Sequence, residues 1–242
     1  MEMVEDKAMV KEIAAANLQE RLAENPYPGR GIVLGRSPEG DWVQVYWIMG
    51  RSANSRNRIF VGENDLLRTE AADTAKLEDP ENIIYNAMRI CGRRYIATNG
   101  IHTDAVYEGF AVGRNLADSL AEWHHESDAP NHTPRISSYI DLDVNEAWLS
   151  ILKASPFGPE HSERYFFHFD YIEPSYGYAI TTYVGDGDPL PSFLGNPYLL
   201  SLDDPESLWE ALDAENRISL AVRRIAGDGT FDTQIINRYE AA

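Results

Sequence analysis

Gly31-Ile32-Val33-Leu34-Gly35 is followed, after Arg36, by Ser37-Pro38-Glu39-Gly40-Asp41 and then by Trp42-Val43-Gln44-Val45-Tyr46-Trp47-Ile48-Met49. Two runs of β-branched and aromatic residues flank a cluster of turn formers, which predicts a β-hairpin. Reading downstream, similar runs predict strands at 57–62, 84–91 and 94–98, and again at 135–142, 145–153, 163–172, 177–184, 217–225 and 230–238. Between the two batches lies one long helical pattern from His102 to His125, with Val106, Phe110, Leu116, Leu120 and Trp123 at three-to-four spacing. A shorter helix is predicted at about 204–214. Upstream, Met9, Val10, Ile13, Ala14, Leu18 and Leu22 mark an amphipathic helix over 6–24, which Asn25-Pro26-Tyr27-Pro28-Gly29 ends. Antiparallel-looking strands in two batches, without a βαβ rhythm, predict an α+β fold of layered sheets.

The 242 residues are 43% hydrophobic and 25% charged, the composition of a globular chain. No apolar run approaches the roughly 20 residues needed to cross a bilayer, so a membrane partner is not expected. The acidic start, Met1-Glu2-Met3-Val4-Glu5-Asp6, lacks the basic and apolar regions of an export signal, and a cytoplasmic location is expected. A formal charge of -18 opposes binding to the phosphate backbone of nucleic acid. Cys91 is the sole cysteine, which excludes an internal disulfide and any multi-cysteine metal centre. It sits in a predicted strand with no base beside it, as a buried structural thiol would.

Lysine occurs only at 7, 11, 76 and 153, so the basic residues are overwhelmingly arginine. They gather at Arg51/Arg56/Arg58, in a loop or strand end, and at Arg89/Arg93/Arg94. Arginine forks match phosphates and carboxylates, so these clusters read either as anion sites or as partners of the surplus acids. Gly29-x-Gly31-x-x-x-Gly35 precedes a strand instead of linking strand to helix, so it is backbone turning and not a dinucleotide fingerprint. His124, His125 and His132 lack metal-ligand spacing, and no metal is expected. Asn99-Gly100-Ile101-His102-Thr103-Asp104 opens the long helix, where it could capture an anion on free N–H groups or simply cap the turn. Thr133-Pro134-Arg135 places a cation just before a strand.

Five segments in order resemble the archaeal-type IMP cyclohydrolase family: Tyr27-Pro28-Gly29-Arg30, Arg51-Ser52-x-x-x-Arg56, Ile84-Tyr85-Asn86-Ala87-Met88-Arg89-Ile90, Asn99-Gly100-x-His102-Thr103-Asp104, and Thr133-Pro134-Arg135-Ile136. The resemblance covers roughly residues 27 to 140 well. It implies a four-layer αββα sandwich like that of the N-terminal nucleophile hydrolases, working without a terminal nucleophile. The helix at 6–24 lies outside it, so residues 1–26 are expected to form an extension to a domain spanning 27–242.

The activity implied is ring closure of 5-formamidoimidazole-4-carboxamide ribotide to IMP and water, with no cofactor and no metal. In that reading Arg56, Tyr85 and Glu126 are catalytic. Tyr85 donates to the developing oxyanion, and Glu126 accepts a proton from the attacking amide. Arg30, Arg51, Ser52, Asn99, His102, Thr103, Asp104, Thr133 and Arg135 are the expected substrate-binding set. The partners implied are a purine ribotide and further copies of the chain in a homo-oligomer. An amide or cyclic amidine hydrolase on the same fold, and a non-catalytic purine-nucleotide-binding protein, are the alternative functions.

Overall fold

The computed structural model describes residues 2–77 and 80–240, without the side chains of 2–6, 81 and 82. The expected hairpin forms from β1 (Gly31–Arg36) and β2 (Trp42–Met49), with Gly31 paired to Trp47 and Gly35 to Val43. Nearly every residue of both strands is buried, which explains the continuous apolar runs: this hairpin is covered on both faces. A Cβ at Gly31 would fall 1.9 Å from the Trp47 ring, so only glycine lets the indole lie against the strand. Gly40 supplies the positive φ of the turn.

Around this hairpin the six-stranded antiparallel sheet has the order β11-β10-β1-β2-β12-β13. Its outer members are β10 (Tyr176–Thr181), β11 (Tyr198–Ser201), β12 (Arg217–Ile225) and β13 (Phe231–Asn237). The second sheet is a seven-stranded meander in chain order. It runs β3 (Ile59–Glu63), β4 (Leu66–Glu70), β5 (Asn86–Cys91), β6 (Arg94–Thr98), β7 (Arg135–Asp141), β8 (Glu146–Ser155) and β9 (Gly158–Phe169). All its neighbours are antiparallel, so the chain is α+β with two antiparallel sheets.

The sheets face one another across Tyr46, Phe60 and their neighbours, whose rings lie 5.4 Å apart. Within this apolar layer Gln44 donates to the Tyr95 carbonyl at 3.0 Å and to Ser138 Oγ at 3.1 Å, tying sheet to sheet. Such buried bonds fix register, because a slipped pairing would leave the amide unsatisfied.

The helices are few. α1 (Glu2–Leu18) passes into a π-helical turn, Gln19–Ala23, and packs on β11, where Asn17 donates to the Leu199 carbonyl at 2.9 Å. The expected apolar stripe is only partly buried. Ala14 and Leu22 are covered while Met9 and Ile13 are 53% and 45% exposed, because the helix turns its 14–18–22 face to the sheet. α2 (Ala53–Arg56) and α3 (Pro80–Ile83) are single turns.

The single helix expected over 102–125 is two. α4 (His102–Ala111) ends before Gly113, which has positive φ, and α5 (Leu116–Ser119) starts under an Asn115 cap. Both cover the outer face of the seven-stranded sheet through Val106, Phe110, Leu116 and Leu120. The helix expected at 204–214 is a 3-10 turn, Pro205–Ser207, followed by α6 (Leu208–Ala211). β4 and β11 are additional to the expected strands, and β9 begins five residues earlier than the run at 163–172. Cys91 lies in β5 as expected but is half-buried. No helix among the described residues is long and apolar enough to cross a membrane.

Candidate active site

A cavity of about 340 Å³ opens where the start of β1, the end of β2, the loop after α5 and the end of β10 converge. Gly29 creates the entry to β1. Its φ is positive, and a Cβ there would lie 2.2 Å from Thr182 Oγ1 and 2.5 Å from the Tyr183 ring. The turn brings Arg30 to the cavity, its backbone N–H held by Thr182 Oγ1 at 3.1 Å.

The Arg30 guanidinium donates to the Asn99 carbonyl at 2.7 Å and to Glu126 Oε2 at 2.8 Å. Arg135 brings a second guanidinium 3.8 Å from Glu126 Oε1, held by its own bond to the His124 carbonyl and by the Trp123 ring below it. One carboxylate therefore stands between two arginines in a nearly dry setting. Burial is the largest single influence and works against the charge on Arg30, but Glu126, Tyr85 and Tyr46 together outweigh it and raise the hold of Arg30 on its proton. Burial and the proximity of Arg30 lower that of Arg135.

Behind Arg30 the Tyr85 hydroxyl meets that of Tyr46 at 2.6 Å. Burial, and then the neighbouring Tyr85, push the Tyr46 phenol well above its ordinary range, so it stays protonated. On the opposite wall Thr133 Oγ1 lies 2.5 Å from both Asp128 Oδ2 and the Tyr183 hydroxyl. Tyr183 stacks on Tyr27, and Arg51 lies over the Tyr27 ring while pairing with Asp186. Ser52 closes a capping box with Ser55 at α2, exposing hydroxyls to the cavity rim.

Of the expected set, Arg30, Arg51, Ser52, Glu126 and Thr133 line the cavity, and Arg135 adjoins it through Glu126. Tyr85 lies just behind, beside Arg30. Asn99, His102 and Thr103 are wholly buried and act on the backbone. Asn99 accepts from the Ile136 N–H and donates to the Pro134 carbonyl, which aims its own carbonyl at Arg30. Thr103 bonds the Gly100 carbonyl at 2.9 Å, and His102 Nε2 lies 3.3 Å from the Ile136 carbonyl.

Two expected members stand elsewhere. Asp104 is engaged by Arg89 at 2.7 Å and by Asn86, away from the cavity. Arg56 bonds the Gly50 carbonyl and Asn216, because the α2 turn swings it away. Arg58 lines the cavity instead, only 5% exposed and fixed by the Ser55 and Met49 carbonyls. Asp128 and Tyr183 are also additional. The signals for them were the acid's place beside Glu126 and the aromatic at a strand end before the Gly185–Pro191 turn cluster.

No group of three or more His, Cys, Asp or Glu suited to a metal occurs among the described residues. The His125 and His132 rings do meet edge to face, 5.3 Å apart.

The family described as IMP cyclohydrolase-like protein matches residues 27–229. IMP cyclohydrolase of Methanococcus aeolicus is 31% identical over 127 residues, which cover 51% of this chain and 61% of that protein. The Methanocella arvoryzae enzyme of the same name is 31% identical over 130 residues, 52% of this chain and 62% of its own. That of Methanocaldococcus jannaschii is 30% identical over 125 residues, 51% and 60% respectively. The chain thus spans about three fifths of the length of these curated relatives.

Proposed function

The chain belongs to the IMP cyclohydrolase-like family, and on that premise we propose that it closes 5-formamidoimidazole-4-carboxamide ribotide to IMP and water. The observation that carries the proposal is the Glu126 carboxylate held between Arg30 and Arg135 at the cavity. A carboxamide nitrogen is a poor nucleophile. Its attack on the formyl carbon needs a base for the departing N–H proton, fixed positive charge for the developing oxyanion, and alignment of the two groups.

Glu126 accepts the carboxamide proton as the C–N bond forms. Arg30 stabilises the oxyanion, with Tyr85 donating from beside it; Glu126 returns its proton to that oxygen, and the carbinol C–O bond then breaks, the hydroxyl leaving as water with the formamide N–H proton while the ring C=N bond forms. Arg51, Ser52 and Arg58 hold the ribotide phosphate. Arg58 stands at the cavity in place of Arg56, which the family resemblance had made catalytic, since the Arg58 guanidinium lines the cavity and still has donors to spare. Arg135 maintains the Glu126 geometry. Asn99, Thr103 and His102 hold the loop against which Arg30 is braced.

We infer too that the sheets and their flanking helices form a four-layer αββα sandwich of the N-terminal nucleophile hydrolase kind. The packing of α1 on β11, and of α4 against β5 and β6, supports it.

Incubation of the purified chain with the formamido-ribotide, with nucleotides separated chromatographically, tests the activity. IMP formation above the uncatalysed background is expected, undiminished by chelators. Saturable ribotide binding without turnover would replace the enzyme reading with that of a nucleotide-binding protein.

A further inference from the structure

A second cavity, about 640 Å³, lies between the β3–β4 hairpin and the β12–β13 hairpin, and shares no residue with the candidate active site. At its wall is Arg223, a β12 residue directed between the sheets opposite Gln44 and only 1% exposed. Its one hydrogen bond runs from Nε to Thr233 Oγ1 at 2.9 Å, and its Nη1 has no partner. Among the described residues no carboxylate oxygen comes within salt-bridge distance of it. Burial lowers its proton affinity to about 10, against which Asp65 acts only from a distance. Gln44 Oε1 is also unpartnered. A bond between the two would satisfy an atom on each yet leave the arginine charge uncompensated.

The rest of the wall is mixed. Phe231 lies under the guanidinium, 4.9 Å from ring centre to Cζ, while Leu66 and Ile235 add apolar surface. Gly62 leaves space that a side chain would take, since a Cβ there would sit 3.2 Å from Ile235 Cδ1. Asp65 in the hairpin turn and Asp232 on β13 also line the cavity and, with the net charge of -18, repel a dianion more than a monoanion.

We propose that this cavity binds a small monocarboxylate, its carboxylate on the free side of the Arg223 guanidinium and its apolar remainder against Leu66, Phe231 and Ile235. A guanidinium fork matches a carboxylate in two parallel bonds, and the volume suits a small organic ligand.

Calorimetric titration of the full chain with 3-phenylpropanoate, and separately with inorganic phosphate, tests this. The expected result is saturable carboxylate binding in the millimolar range, weakened about 10-fold or more by Arg223→Met. Leu66→Trp, which fills the rim and keeps the charge, should weaken it comparably and reads the site even where the arginine variant does not fold. Three results would overturn the proposal: no saturable carboxylate binding, binding that survives Leu66→Trp, or phosphate binding at this cavity more tightly than the carboxylate.

Discussion

Arg30 and Glu126, 96 positions apart in the chain, form a hydrogen-bonded ion pair of 2.8 Å whose side chains are only 11% and 14% exposed. The pair joins the turn entering β1 to the loop after α5, so the geometry of the candidate site depends on both sheets being assembled. Arg135 completes a triad with two positive charges and one negative. Such an arrangement can receive another negative charge as an oxyanion develops, provided that Glu126 remains free to take a proton.

Glu126→Gln removes that proton acceptor with little change of shape. We expect turnover to fall by about 10² to 10⁴, while the ribotide affinity stays within a few-fold because the arginines remain. Single-turnover rates beside calorimetric affinities separate the two. Full turnover across the pH range would move the base to Asp128, whose carboxylate already bonds Thr133.

Arg58→Ala should damage ribotide turnover by about 10², and Arg56→Ala by much less, since only Arg58 lines the cavity. Arg58 also braces the Met49 and Ser55 carbonyls, so the melting temperature must be followed in parallel and Arg58→Lys included. Equal and small effects of both alanine changes would take the phosphate away from this cluster.

The contrast between those two arginines shows what the amino-acid pattern carries. The β1–β2 hairpin is legible because two-sided burial imposes unbroken apolar runs, and the turn residues between them have few other uses. Leu66–Glu70 and Tyr198–Ser201 are short, and the first is mixed with charge, so nothing local marks them as strands. Apolar spacing persists beyond Gly113 and predicts one helix after Asn99, whereas the positive φ at that glycine ends it. In the site, Arg30 and Glu126 could be proposed only through the order of family-like motifs, since no local rule pairs residues so distant in the chain. Whether Arg56 or Arg58 faces the cavity depends on one turn of α2. Spacing does not encode the direction of that turn. Tyr183 carries no local signal of its site partner for a related reason: that partner, Thr133, lies on another strand's approach, 50 positions earlier.

His102 gives a pH test of the loop that braces Arg30. Burial, and then Arg135, hold its imidazole well below the usual histidine value, so it is neutral in the fold. In the unfolded chain it titrates near 6.5. Below that pH the unfolded chain binds the extra proton, and stability falls as pH drops, by up to about 1.4 kcal/mol per pH unit until the folded value is reached. Above about 6.5 there is no such loss. Urea midpoints from pH 7.5 to 5 should therefore decline in the parent and flatten in His102→Gln. A smaller slope should persist from His125, which burial and then His132 also hold low. Identical slopes in both proteins would mean that His102 is not neutral and buried.

The N-terminal helix separates two kinds of contribution. Residues 1–26 lie before the family match, which begins at Tyr27, yet Leu22 is wholly buried in the main apolar cluster and Asn17 is bonded to β11. Met9 and Ile13, by contrast, are exposed. Removing residues 1–13 should therefore cost little stability and leave turnover unchanged. Removing 1–24 also takes away Ala14, Asn17 and Leu22. Loss of a buried leucine alone costs about 2–5 kcal/mol, so this longer truncation should melt markedly lower while retaining turnover at temperatures where it is folded. Scanning calorimetry with light scattering distinguishes lost packing from a lost subunit contact: the first lowers the melting temperature at constant particle mass, and the second lowers the mass as well. A 1–24 deletion that stays folded but makes no IMP would overturn the division, because none of the candidate site's residues lies in the deleted segment.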